Sequence, residues 1–219
     1  MFAEQRPRAG NVFIKICGIT NFADAMRAID AGADGLGFNF SPRSSRRLDR
    51  RTDGDWLSNV PASVLRVAVL TNPVWQELVE IAEFPFIDAI QLHGEETPAF
   101  CHRLRETGKR FAKAVPVASG VEPPDISGFF TDTVLLDSKQ GDRFGGTGQV
   151  FDWSVAKAVV RDHPNMKVIV GGGLNPGNVA EAITTIRPYA VDVASGVELS
   201  SGAKDPKLVE QFIAVARTA

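Results

Sequence analysis

The sequence predicts an α/β fold, a single (β/α)₈ barrel of the TIM-barrel type, from three observations. Eight short apolar runs of strand length recur along the chain, and a helical or near-helical segment follows each of them. Strands that alternate with helices form parallel sheets with both faces covered. Two glycine-rich turns late in the 219-residue chain suit a compact closed barrel better than the alternative, an open doubly wound sheet.

The predicted strands are rich in β-branched and aromatic residues and stop at turn-forming residues. The first strand lies in the run 12–20 and ends at Cys17, before Gly18. Alternation places Phe13, Lys15 and Cys17 on one of its faces and only apolar residues on the other. The remaining predicted strands are 34–40, 64–70, 87–92, 111–115, 133–136, 167–170 and 189–193.

Capping residues and prolines mark the predicted helix starts. These starts are Asn21, Asn72-Pro73, Thr97-Pro98, Asp152, Asn175-Pro176 and Asp205-Pro206. The fifth helical segment, within 118–130, holds two prolines and two glycines and should be short or irregular. The polar segment 41–55 carries five arginines and is predicted to be a long loop with a functional role.

The composition of the chain argues against several classes of function. A net charge of −2 gives no electrostatic reason for binding nucleic acid or an anionic membrane. No apolar run reaches the length of a membrane span, and two isolated cysteines are typical of a reducing cytoplasm. The three scattered histidines predict no metal site. We expect residues 1–11 to form a flexible leader and residues 12–219 to form one barrel domain.

The carboxyl ends of barrel strands meet in one basin, where active sites form. The polar or glycine residues predicted there are Cys17, Asn39, Arg43, Asn72, His93, Asp137, Gly171, Gly172, Gly173, Asp192, Ser195 and Gly196. The turns after strands seven and eight expose backbone N–H groups, and together they predict phosphate binding by Gly172, Gly173, Ser195 and Gly196.

Cys17 and Asp137, on strands one and six, form a potential acid–base pair. A thiol must ionise to act as a base, and Lys15 on the same strand face could favour this. A carboxylic acid must hold its proton to act as an acid. Lys15 cannot favour both states from equal distances. It is expected to form a buried ion pair rather than a Schiff base, and Asp137 could equally cap a loop.

An ordered series of motifs resembles phosphoribosylanthranilate isomerase of tryptophan biosynthesis. The motifs are Lys15-Ile16-Cys17-Gly18-Ile19-Thr20, Ser41-Pro42-Arg43, Gln91-Leu92-His93-Gly94-Glu95, Leu136-Asp137-Ser138, Gly145-Gly146-Thr147-Gly148, Phe151-Asp152-Trp153, Gly172-Gly173-Leu174-Asn175-Pro176, 191–198 and Gly202-Ala203-Lys204-Asp205. The resemblance spans Ile14 to about Phe212. The leader and the arginine-rich segment are the main departures.

The resemblance implies an Amadori rearrangement of N-(5-phosphoribosyl)anthranilate that needs neither cofactor nor metal. It implies Cys17 as general base and Asp137 as general acid. Arg43 suits the anthranilate carboxylate, because a guanidinium fork pairs with two oxygens. His93 and Asp192 are expected to contact or orient the substrate. We expect a monomer or homodimer in the cytoplasm, with a small phosphoribosyl substrate as its partner.

Three other functions remain open from the sequence. Another phosphosugar barrel enzyme, an isomerase or a lyase, would share the phosphate turns but use a different acid–base pair. A non-catalytic phosphometabolite-binding barrel would have no need of Cys17 and Asp137. A thiol redox protein is disfavoured, since Cys17 has no resolving cysteine beside it in the sequence.

Overall fold

The structure is a computed structural model that describes residues 12–117, 122, 124–140, 143–144 and 152–219. Two parts of the sequence prediction lie outside the described residues. One is the proposed leader, 1–11. The other comprises Gly141, Gly145, Gly146 and Gly148 of the glycine-rich segment between strand six and the following helix.

Eight parallel strands close into a barrel, as predicted. They are β1 (Phe13–Cys17), β2 (Gly35–Asn39), β3 (Leu65–Leu70), β4 (Ala89–Leu92), β5 (Phe111–Val117), β6 (Thr133–Gln140), β7 (Lys167–Val170) and β8 (Ala190–Val193). Each strand pairs with the next along the chain, and β8 pairs with β1, with Lys15 opposite Asp192 in the register. Closure therefore brings the first and last units of the chain together.

Helical segments cover the outside of the barrel. They are α1 (Phe22–Asp30), α2 (Arg50–Ser58), α3 (Trp75–Ala82), α4 (Pro98–Glu106), α5 (Trp153–Asp162), α6 (Val179–Ile186) and α7 (Pro206–Thr218). Between β5 and β6, the helical structure among the described residues is one 3₁₀ turn, Ser127–Phe129, so the expectation of an irregular segment is confirmed.

The residues of each strand alternate between two apolar layers. Ile14 and Ile16 are fully buried in the large layer between the strands and the helices. Phe13 lies inside the barrel in a second, smaller cluster with Ala114, Leu135, Ile169 and Ala190. Phe13, Lys15 and Cys17 thus share the inward face, as alternation along β1 predicts.

The structure confirms four of the predicted helix caps. Their hydrogen bonds span only two or three residues, so they depend on local sequence. The side chains of Asn21, Thr97, Asp152 and Asp205 each accept from a backbone N–H in the first turn of the following helix. A fifth cap, Asp49, was missed. It starts α2 inside the segment predicted to be a loop through residue 55, so that loop ends at Asp49.

Asn72 and Asn175 do not cap helices, contrary to the prediction. Asn72 has a left-handed φ of 48°, and its Oδ1 accepts from the N–H of Glu95, so α3 begins only at Trp75. Oδ1 of Asn175 accepts from the N–H of Gly177, within a turn that delays α6 to Val179. Both asparagines are used by loops at the barrel mouth.

Strand β6 is longer than predicted. It continues past Asp137 to Gln140, and its last residues pair antiparallel with the short strand Arg143–Phe144. A second short hairpin, Glu198–Ser200 with Ala203–Lys204, follows β8. Among the described residues, no helix combines the length and the hydropathy needed to cross a membrane.

Candidate active site

The inward side chains near the carboxyl ends of β1, β4, β6 and β8 are polar. They are Cys17, His93, Asp137 and Asp192, all predicted from the sequence to belong to the site. Below them, beyond the buried side chains of Lys15 and Gln91, the barrel interior is filled mainly by apolar side chains. The polar groups therefore occupy the end of the barrel where ligands bind in this architecture.

Lys15 and Asp192 form a buried ion pair, which confirms the ion pair expected for Lys15. Nζ of Lys15 lies 2.8 Å from Oδ1 of Asp192, and the two side chains are 1% and 9% exposed. Burial alone would lower the pKa of Lys15, but the neighbouring Asp192 and Cys17 offset that effect and raise the pKa above its usual value. Lys15 is therefore held in its charged form. A substrate contact by Asp192 remains a prediction.

The Cys17 thiol lies among charged groups. Burial raises the pKa of this thiol, the charge of Lys15 opposes the rise, Asp192 adds to it and Lys204 opposes it. The net result is a pKa above the ordinary thiol value. Gly37 of β2 packs directly on the thiol, since a Cβ there would lie 2.6 Å from Sγ. The thiol is thus confined but close to two cations.

A second buried charge cluster covers this side of the site. Nζ of Lys204 donates to the backbone carbonyls of Cys17 and Ala194, at 2.6 and 3.1 Å, and to Oε1 of Glu198 at 2.9 Å. Arg46 binds both carboxylate oxygens of Glu198, at 2.7 and 2.6 Å. We call Arg46, Glu198 and Lys204 the charge clamp.

The charge clamp was missed by sequence reasoning, which placed Arg46 in an arginine-rich polar loop and considered it as an alternative to Arg43 for the substrate carboxylate. Glu198 and Lys204 were noticed as parts of motifs, with no role given to either. The available signal was the pair of opposite charges flanking the turn at Gly202. Burial of the charges decides their role, and burial depends on the closed barrel.

Asp137 has quite different neighbours. Its Oδ2 lies 3.1 Å from Nε2 of His93, whose Nδ1 lies 2.9 Å from Nε2 of Gln91. Gln91 is fully buried and Asp137 is 7% exposed. Among the described residues, Oδ1 of Asp137 has no hydrogen-bond partner. One carboxyl oxygen thus contacts His93, and the other is buried beside Gly172 without a partner among the described residues.

The two glycine turns predicted to bind phosphate lie against each other. Gly172 and Gly173 both have φ of 73°, a left-handed conformation that favours glycine. A Cβ on Gly196, in the 3₁₀ turn Ser195–Val197, would collide with the carbonyl oxygen of Leu174. The side chains of Asn175 and Asn178 hold the Gly173 carbonyl. The turns therefore form one surface of backbone groups.

Gly172 also connects the predicted phosphate turn to the predicted acid. A Cβ at this position would lie 2.6 Å from Oδ1 of Asp137. Only a glycine leaves room for the carboxyl group to stand directly beside the turn. Arg43 lies on the exposed part of the β2–α2 loop, whereas Arg46 of the same loop is already bound to Glu198. Arg43 is thus the better placed of these two guanidinium groups for a ligand.

The sequences of known proteins identify the family of this chain. The family model for N-(5'-phosphoribosyl)anthranilate (PRA) isomerase matches residues 14–215. The chain belongs to the phosphoribosylanthranilate isomerase family. A relative named N-(5'-phosphoribosyl)anthranilate isomerase from Thermotoga neapolitana is 41% identical, with 94% of this chain and 98% of the relative covered. One from Desulforudis audaxviator is also 41% identical, with 94% and 98% covered.

Solved structures agree with this family assignment. The phosphoribosylanthranilate isomerase of Thermus thermophilus superposes with a TM-score of 0.82 at 31% identity, covering 92% of this chain and 96% of the other. A phosphoribosylanthranilate isomerase in complex with reduced 1-(o-carboxyphenylamino)-1-deoxyribulose 5-phosphate superposes with a TM-score of 0.78 at 32% identity, covering 95% and 100%. The TIM-barrel fold and the family resemblance drawn from the motifs are both confirmed.

Proposed function

We propose that this chain isomerises N-(5-phosphoribosyl)anthranilate to 1-(2-carboxyphenylamino)-1-deoxyribulose 5-phosphate, with Cys17 as general base and Asp137 as general acid. Family membership supports the reaction, which belongs to tryptophan biosynthesis. The observation that supports the two roles is the placement of a thiol beside cations and of a carboxyl group beside the imidazole of His93 at one barrel mouth.

The reaction needs two proton transfers. Asp137 gives a proton to the ribose ring oxygen as the C1–O bond breaks, and the nitrogen lone pair forms a protonated Schiff base with C1. Cys17, as thiolate, then removes the proton from C2, and those electrons form an enamine that becomes the ketone on tautomerisation. No step needs an external oxidant or reductant. The residues therefore transfer only protons.

The remaining site residues bind the substrate in this proposal. Arg43 pairs with the anthranilate carboxylate, and Gly172, Gly173, Ser195 and Gly196 bind the phosphate. The left-handed glycines support the second assignment, because backbone N–H groups that point to one side make an anion-binding concavity. His93 orients Asp137. Asp192 acts through its ion pair with Lys15, which lies next to the thiol.

The activity can be tested directly with freshly generated phosphoribosylanthranilate. The intrinsic fluorescence of the substrate should disappear with enzyme, and mass spectrometry should show a product of unchanged mass that is reducible with borohydride. The Cys17→Ala variant supplies the background rate. A purified, folded enzyme that leaves the fluorescence at this background rate contradicts the proposed function.

The proposal also covers the cellular compartment and the oligomeric state. We propose a cytoplasmic monomer or homodimer. A similar structure consists of monomers generated from a dimeric phosphoribosylanthranilate isomerase of Thermotoga maritima, with a TM-score of 0.78 at 33% identity. Light scattering during size-exclusion chromatography distinguishes the 23.6 kDa monomer from a dimer, and a larger assembly would contradict both alternatives.

A further inference from the structure

We infer that Gln91 is a positioning residue that fixes His93 as a hydrogen-bond donor and thereby places the transferable proton of Asp137 on Oδ1. The inference rests on the proposed role of Asp137 as general acid. Gln91 belongs to one of the recognised motifs, but nothing in the proposed reaction uses it so far. Its amide is completely buried inside the barrel, on β4, two residues before His93.

The direction of the hydrogen bonds follows from the Gln91 amide. Nε2 of Gln91, which can only donate, lies 2.9 Å from Nδ1 of His93, and Oε1 of the same amide has no hydrogen-bond partner among the described residues. Nδ1 must then accept, which leaves the proton of a neutral imidazole on Nε2. Nε2 lies 3.1 Å from Oδ2 of Asp137, so His93 donates to that oxygen. The chain of donors runs from Gln91 through His93 to Asp137.

This direction determines which carboxyl oxygen carries the proton. A protonated carboxyl group has one carbonyl-type acceptor and one O–H donor. Oδ2 accepts from His93, so the O–H belongs to Oδ1. Oδ1 is the buried oxygen with no partner among the described residues, and it stands beside Gly172 of the predicted phosphate turn. The proton is thus held on the oxygen that lies beside the predicted phosphate turn.

The same arrangement serves the product state. Once Oδ1 has lost its proton, the carboxylate keeps its hydrogen bond from Nε2 of His93. The opposite tautomer would place a lone pair of His93 against Oδ2. The proton of Asp137 would then be drawn into a hydrogen bond with His93 and away from the substrate. A buried amide that fixes the tautomer therefore has a chemical effect that packing alone would not produce.

Nitrogen-15 NMR of the histidine-labelled enzyme tests the direction without turnover. The expected spectrum at neutral pH shows His93 with an unprotonated Nδ1 and a protonated Nε2, and its signals are identified by their loss in His93→Asn. A protonated Nδ1 in the neutral ring of the wild-type enzyme overturns the inference. Because no substrate is needed, this result is independent of the proposed function.

Kinetics of Gln91→Leu test the consequence for catalysis. The near-isosteric leucine cannot select a tautomer, so the His93 spectrum should become a mixture of both forms. We expect kcat to fall about 10- to 100-fold, since small misplacement of a reacting group has effects of this size, while KM changes by less than about threefold. A single Nε2–H tautomer together with an unchanged kcat in this variant overturns the inference.

A matched control separates positioning from packing. Val67 is fully buried on the inner side of β3, opposite Ala89, and forms none of these hydrogen bonds. Val67→Ala disturbs the barrel interior, so it should lower the melting temperature but leave the His93 tautomer and kcat near wild type. If Val67→Ala reduces kcat as strongly as Gln91→Leu at equal thermal stability, the effect is one of packing and the inference is wrong.

Discussion

The two sides of the barrel mouth differ in the charges that surround their reactive groups. Around Cys17 lie the cations Lys15 and Lys204, each balanced by a buried carboxylate. Around Asp137 the described partner is His93, itself held by the neutral amide of Gln91. A base must release its proton and an acid must keep one, and these needs call for opposite surroundings. Lys15 lies on the thiol side, where its charge opposes the rise in the Cys17 pKa that burial causes.

The sequence left open which of the two groups Lys15 favours. The structure answers this through register, because Lys15 lies opposite Asp192 on β8 and two residues from Cys17 on the same strand face. Burial acts on the other cysteine, Cys101, in the same direction. Burial raises the pKa of Cys101 to about 11, with Lys113 only partly opposing it, so that thiol stays protonated.

The largest expected effect comes from removing either reactive group. Cys17→Ala and Asp137→Asn should each reduce kcat by about 10²–10⁴, the usual contribution of a positioned acid or base. Steady-state kinetics on the phosphoribosyl substrate measure this. Cys101→Ala is the matched control and should keep kcat near wild type. Either site variant with more than about a third of wild-type kcat would show that its assigned role is wrong.

The next effect concerns Arg43, which belongs to neither side. Arg43→Ala should raise KM by about 10- to 150-fold, equivalent to roughly 1.5–3 kcal/mol for a hydrogen bond to a charged group. Arg43→Lys should recover only part of this, because an ammonium cannot form the two-pronged contact. Arg47→Ala, at another exposed arginine of the same loop, serves as control. Equal KM values for Arg43→Ala and Arg47→Ala would contradict the assignment.

Removing one charge beside the thiol should shift the pH dependence of kcat/KM in a direction set by the sign of that charge. The pKa of Cys17 is raised, so kcat/KM should increase with pH through the alkaline range above the ordinary thiol value. Lys15→Met should move this rise to higher pH and lower kcat/KM at pH 7 by roughly tenfold, since an opposing cation is lost. Asp192→Asn should move it to lower pH. Shifts of both variants in the same direction would refute the electrostatic explanation.

The smallest expected effect tests the phosphate turn. Gly173→Ala should raise KM severalfold with little change in kcat, because a side chain disturbs the backbone N–H groups that face the anion. Gly108→Ala is the control, since Gly108 has nearly the same φ, 74° against 73°, and lies far along the chain at the end of α4. Both should lose about 1–2 kcal/mol of stability. Only the Gly173 variant should bind substrate less well.

A crystal grown in sulfate sharpens the same point. An anion in contact with the N–H of Gly173 or Gly196 is expected. An anion bound only at the arginines of segment 46–51, combined with a normal KM for Gly173→Ala, would move the phosphate site there.

Local signals made much of this structure predictable. The strand alternation of β1 and the caps at Asn21, Thr97, Asp152 and Asp205 depend on residues close in sequence, and all were predicted correctly. Asn72 was misassigned because its side chain serves Glu95, 23 residues away. Capping propensity describes what a side chain can do locally and contains no information about a competing distant partner.

The candidate site divides along the same line. Cys17, Asp137 and the glycine turns could be predicted, because strand ends and glycines can be recognised from the sequence alone. Gln91 and Lys204 could not, although both are buried. A lone glutamine within a strand resembles an ordinary polar residue, and its pairing with His93 becomes meaningful only when His93 reaches Asp137 across β5. The relative places of strands around the barrel decide such contacts.

The charge clamp also has a consequence for the order in which the site forms during folding. Lys204 contacts the carbonyl of Cys17 across 187 residues of chain, and Arg46 contacts Glu198 across 152. Contacts of such separation form late, because the loop they close is long. The surroundings of the thiol are therefore completed only when β8 and the hairpin after it pack beside β1.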